Sequence, residues 1–278
     1  MPNSLRAWKE TLIDLGVMGL VPEQLPKACS LASNSQAVPL QTENISGSAP
    51  VVQRKAGTKK NGSEIEVNIW KAPTDQIKNP SPQSIKECLN LDALNECICR
   101  CEACPLGAGR IKFVFGEGSQ NARMMFIGEG PGSDEDILGR PFVGRAGALL
   151  DKMIVALKMA RSDVYIANIV KCRPPDNRTP HATESQTCLR YLERQMELIK
   201  PVVLVGLGAT PLRELIGIPS GITKIRGTWQ AARVGDMEIP YMPTFHPAYL
   251  LRNYTKEARQ AVWEDLQAAQ KRAYELAT

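Results

Sequence analysis

The chain is short of aromatic residues. Phe, Tyr and Trp make up 5% of its 278 residues while apolar residues make up 43%, so a core is available but must be largely aliphatic. Histidine is scarcer still, with His181 and His246 the whole supply, so any imidazole chemistry rests on one of two positions. No run of 18 apolar residues occurs, which predicts no membrane span. The one apolar stretch near the start is broken by Lys9, Glu10 and Asp14, so no secretory signal is predicted and the chain reads as cytoplasmic. A strong charge of one sign is missing too. The 34 basic and 29 acidic residues leave a net +5, which is compatible with a polyanionic partner without requiring one. Eight cysteines in such a chain favour metal ligation or free buried thiols over a disulfide framework.

The length allows one domain of about 200 residues plus an extension. Residues 1–20 read as a short amphipathic helix, with Leu5, Trp8, Leu12 and Leu15 on one face and Gly16 to end it. Residues 21–83 scatter seven prolines among Ser, Asn, Gln, Thr and Gly, a low-complexity linker expected to be disordered. Inside it, Glu64–Trp70 alternates like a lone strand, either an apolar island or a partner-binding peptide. From residue 84 the text becomes globular. Apolar runs at Arg123–Glu129, Val164–Val170, Val202–Gly208 and Ile239–Phe245 read as buried strands. Helical stretches at Gly147–Met159, Ala182–Lys200, Thr210–Ile216 and Thr255–Ala273 alternate with them. That alternation predicts an α/β domain over residues 84–278, with a parallel sheet covered on both faces. Gly221–Asp236 is long enough for an extra hairpin or an ordered loop.

In open α/β sheets, ligands bind outside the carboxyl ends of the strands. Reading those ends yields Glu129, Gly130 and Pro131 from the first strand, Asn168 from the second and His246 after the fourth. A carboxylate, an amide and an imidazole on one rim suit a pocket. Each also has a structural reading: Glu129 capping the next helix, Asn168 satisfying backbone at a strand end, His246 a packed histidine before Pro247. His181 reads as a surface or helix-start residue. The Gly-rich GEGPG segment lacks both the GK[ST] ending and the GxGxxG spacing of a nucleotide cradle. Cys101, Cys104, Cys172 and Cys188, spaced C-x2-C and C-x15-C around Gly128–Gly147, form a metal-cluster frame. Four thiolates suit iron–sulfur and zinc equally on ligand type. Cys97 and Cys99 read as free thiols on a helix, and Cys29 and Cys88 have no evident role.

The motifs GEGPGSDED, GRPFVGRAG, NIVKCRPPDNRTP and HPAYLLRN, with C-x2-C ahead of them, closely resemble the family 4 (iron–sulfur) uracil-DNA glycosylases from roughly Cys97 to Asp265. The resemblance implies a three-layer α/β/α domain with a central, mainly parallel four-stranded sheet. It implies a [4Fe-4S] cluster on Cys101, Cys104, Cys172 and Cys188. The implied reaction is hydrolysis of the N-glycosidic bond of deoxyuridine in single- and double-stranded DNA, leaving an abasic site for base excision repair. The base must leave the stack to be reached.

By motif position, Phe142 would stack on it, or else belong to the core. Asn168 would read the N3–H and O4 edge, backbone near Gly130 would hold O2, and His246 would donate to O2 as a neutral ring or an imidazolium. Glu129 would place negative charge near the sugar and orient water, with Glu135 and Asn177 in support. Leu250 and Leu251 would wedge into the gap left by the base. Arg140, Arg145, Lys171, Arg173, Arg178 and Arg252 would grip phosphates. Nothing activates Lys171, so a monofunctional enzyme is expected. Better-known uracil glycosylases carry Asp at the position of Gly130 and an aromatic at Gly132, which leaves water activation and thymine rejection unassigned. A monomer at the nucleoid is expected, with a possible protein partner for residues 1–83. The competing readings are a noncatalytic iron–sulfur nucleic-acid-binding protein and a glycosylase for another deaminated base.

Overall fold

Uniformly apolar strands mark a sheet covered on both faces, and the computed structural model, which describes residues 78–219 and 221–276, contains one. The helix expected at 1–20, and the 21–77 part of the linker with its Glu64–Trp70 run, lie outside the described residues. In chain order the elements are α1 (Pro82–Glu87), α2 (Leu91–Ile98), α3 (Leu106–Gly109), β1 (Glu117–Gly118), β2 (Met124–Gly128), α4 (Ser133–Leu138), α5 (Arg145–Ala156) and β3 (Tyr165–Asn168). Then follow α6 (Ala182–Ile199), β4 (Val203–Leu207), α7 (Ala209–Ile216), α8 (Ile222–Ile225), β5 (Gln230–Val234), β6 (Met237–Thr244), α9 (Pro247–Arg252) and α10 (Lys256–Glu275). The first of these helices starts two residues before 84, where Ser81 accepts from the Ser84 N–H as its cap.

The sheet order is β1-β3-β2-β4-β6-β5. The four expected strands form its parallel centre, β3-β2-β4-β6. Two short antiparallel strands extend the edges, so the sheet has six strands rather than four. One edge, β1, carries no apolar residue for a pattern to register. It pairs at Gly118, where φ is +135° and any side chain would collide with the Val164 carbonyl. At the other edge the Gly221–Asp236 stretch does hold a hairpin strand. A two-residue turn, Gly235 (φ 55°) and Asp236, reverses the chain from β5 into β6.

Alternation along the strands builds the layers. Met125, Ile127 and Leu204 face one core with Leu94, Ile98, Tyr191, Leu192 and Met196 from α2 and α6. Met124, Phe126, Val203 and Val205 face the other, with Leu150, Ile154, Val262 and Leu266 from α5 and α10. The result is a three-layer α/β/α stack. Gly128 lies opposite Asn168, Ile127 opposite Gly206 and Leu207 opposite Thr244, so the four parallel strands end together and release their loops at one edge. Among the described residues no helix is long and apolar enough to cross a membrane.

Candidate active site

At that edge lies a cavity of about 470 Å³ whose lining includes Glu129, Asn168 and His246, the three groups expected to share a rim. Gly130, Glu135, Phe142 and Asn177 line it as well.

Asn168 ends β3 and is 2% exposed, yet its Oδ1 has no hydrogen-bond partner in the protein. An unpaired buried acceptor costs about 1–3 kcal/mol, so this one is evidence for a ligand donor. The slot beside it exists because residue 128 is glycine: a Cβ there would collide with Asn168 Oδ1 and with the Phe142 ring. Phe142 itself is buried and holds φ 51°, a left-handed conformation unusual for an aromatic residue. Glu135 helps fix that loop. Its Oε1 accepts from the N–H groups of Val143 (2.9 Å) and Gly144 (3.0 Å), and its Oε2 from Gly132 N–H (3.1 Å). One carboxylate therefore ties the GEGPG loop to the GRPFVG loop.

His246 caps α9, and its Nδ1 accepts from Ala248 N–H at 3.1 Å, which puts the proton of the neutral ring on Nε2. Burial, helped by the Arg252 charge and opposed by Glu135, pushes its pKa down to about 4. The ring is thus neutral at physiological pH, a point the sequence left open. Its centroid lies 5.6 Å from that of Phe142. Glu129 Oε2 accepts from Thr210 Oγ1 at 2.5 Å. Thr210 and Gly208, at the end of β4, were missed by the sequence reading. Gly208 takes φ 94° and runs so close to His246 that a Cβ would stand 3.2 Å from the His246 Cβ. Asn177 is exposed at the cavity mouth and accepts from Arg173 Nε at 2.8 Å.

Two expectations are corrected. Leu250 is 1% exposed and packs in the core with Leu150 and Ile154, so it is no wedge; Leu251, at 36%, remains available. Lys171 is fully buried, its Nζ bonded to the Asn168 carbonyl (3.0 Å) and Gln195 Oε1 (2.6 Å), so it reaches no phosphate. Burial also holds its pKa down, at about 8. Arg178 and Arg140 are engaged bidentately by Glu184 and Glu117. Arg145 and Arg252 are exposed.

Of the four framework cysteines, Cys101, Cys172 and Cys188 are buried and Cys104 is half-buried. Donors aim at their sulfurs: Ala103 N–H at Cys101 (3.4 Å), Lys171 N–H at Cys188 (3.4 Å) and the Arg110 guanidinium at Cys172 (3.6 Å). Tyr191 Oη lies 2.9 Å from Cys101 Sγ. Burial, with the charge of neighbouring thiols, pushes Cys172 up to about 11 and Cys188 up to about 12, and raises Cys104. Among the described residues no three His, Cys, Asp or Glu side chains gather as one metal ion requires. Cys88 and Cys97 are buried in the core, with Cys88 Sγ 3.2 Å from the Ser84 carbonyl oxygen.

The family model of the uracil DNA glycosylase superfamily matches residues 115–267. The type-4 uracil-DNA glycosylase of Thermotoga maritima is 46% identical over 183 residues, covering 64% of this chain and 92% of that protein. Those of Pyrobaculum aerophilum and Sulfurisphaera tokodaii are each 41% identical, over 59% and 63% of this chain and 86% and 81% of their own lengths. The chain therefore belongs to the uracil DNA glycosylase superfamily and, within it, to the type-4 uracil-DNA glycosylases.

Proposed function

We propose that the cavity takes a uracil everted from single- or double-stranded DNA and that Asn168, Phe142, His246 and Glu129 divide the work of hydrolysis. The unpartnered Asn168 Oδ1 carries this reading. It accepts from uracil N3–H while Nδ2 donates to O4. Cytosine presents the reverse pattern and leaves both amide atoms unmatched. Phe142 stacks on the base, its ring aligned by the Glu135 tie. As the glycosidic bond breaks, negative charge collects on O2. The neutral His246 Nε2–H and backbone N–H at Gly130 receive it there, in a site that excludes most water. The sugar becomes cation-like, and the Glu129 carboxylate stabilises it and orients the attacking water. With Lys171 engaged in the interior, its amine is withheld from lyase chemistry, which favours an abasic site as the product. Arg145 and Arg252 neutralise phosphates, and Leu251 fills the gap left by the base.

Cys101, Cys104, Cys172 and Cys188 would hold a [4Fe-4S] cluster. Donors to three of the sulfurs suit a group that keeps thiolates charged. When bound, the group supplies a rigid tie among the segment entering the domain, the loop after β3 and α6. Residues 1–83 would serve as a tether or partner-binding extension of a cytoplasmic enzyme.

The test is uracil release from single- and double-stranded oligonucleotides, with thymine and cytosine controls. Uracil release leaving an abasic site is expected, and Asn168→Ala should slow it about a hundredfold. Metal-loaded protein that binds DNA but frees no uracil would select the noncatalytic reading. Faster release of another deaminated base would reassign the substrate.

A further inference from the structure

Glu129 reaches the cavity from the end of β2, and the side chain that holds it comes from the neighbouring strand. Ile127 and Gly206 are register partners of β2 and β4, so the loops after the two strands run side by side. Gly208 is the N-cap of α7 and Thr210 is its second residue, 3% exposed. A threonine at a helix start commonly bonds backbone N–H groups of its own helix. Thr210 does not; its hydroxyl lies 2.5 Å from Glu129 Oε2, within the range of a charge-assisted O–H···O⁻ bond. The same turn packs Gly208 against His246. This one loop touches both groups assigned to the chemistry.

We propose that Thr210 is the positioning residue of Glu129: its proton fixes Oε2 and leaves Oε1 directed to the sugar and the attacking water. The inference rests on the reading of Glu129 given above and deepens it. Valine keeps the shape of threonine and removes only the hydroxyl. Thr210→Val should lower kcat about tenfold to a hundredfold with KM changed less than about threefold. Thr210→Ser, which restores the proton, should recover kcat to within about threefold of the parent. In a Glu129→Ala background, Thr210→Val should cost less than about twofold, since the partner is gone.

An equal loss in both backgrounds, or a serine variant as slow as the valine one, would overturn the inference and leave Thr210 a packing residue. If the valine variant does not fold by circular dichroism, Thr210→Ala against Thr210→Ser makes the same comparison. The two readings fail separately. Full kcat in Glu129→Ala removes the role of Glu129, whereas a slow Glu129→Ala beside a fast Thr210→Val removes only that of Thr210.

Discussion

A histidine held near pKa 4 does not change charge where most enzymes work. The pH dependence of kcat should therefore show no acid limb at the ordinary histidine value of 6.5; the limb expected of His246 lies near 4. A pH–rate profile on single-stranded substrate checks this, because duplex stability does not enter. The same shift acts on folding. The unfolded chain takes up a proton at about 6.5 that the folded ring refuses until about 4, so this contribution to stability is full above 6.5 and is lost as pH falls through that window. Urea melts at pH 7 and 4.5 should show a smaller acid-induced drop for His246→Gln than for the parent. Glu129, Asn168 and His246 were legible in the sequence because each follows an apolar run at a place where strands end. Thr210 was not, since a threonine at a helix start reads as a cap, and only the strand register reveals that it faces Glu129.

At the scale of elements, α9 shows how burial sorts two neighbours of identical type. Leu250 points into the core beside Leu150, and Leu251 points outward. Leu250→Ala should lose about 2–5 kcal/mol of stability by opening a cavity, read as a fall in urea midpoint. Leu251→Ala should leave that midpoint alone and slow excision from duplex more than from single strands. A six-residue helix contains too little periodicity to say which of two adjacent leucines is inside, so the sequence assigned both to the surface. The four central strands were legible for the opposite reason, since covering on both faces writes an unbroken apolar run. The edge β1 depends on a glycine and on a partner distant in sequence, and β5 on a glycine turn into its neighbour β6, so both leave only a weak mark.

For the whole molecule, the cysteine frame joins segments far apart in the chain, from Cys101 to Cys188. Thiols with pKa values near 11 and 12 are protonated alone, so a cluster held there would have to draw off their protons, and would stabilise the folded state by binding it selectively. Cys172→Ser should lose the visible absorbance of an iron–sulfur centre and lower Tm, with the second effect absent if no cluster forms. The helix that follows His246 has a mechanical corollary. The His246 imidazole and the outward Leu251 stand at opposite ends of one helix barely a turn and a half long. Pressure from a base pair on the tip would reach the ring at the root. A duplex would then seat its own leaving-group donor as it is pried open, whereas a lone strand would rely on the position the helix already holds.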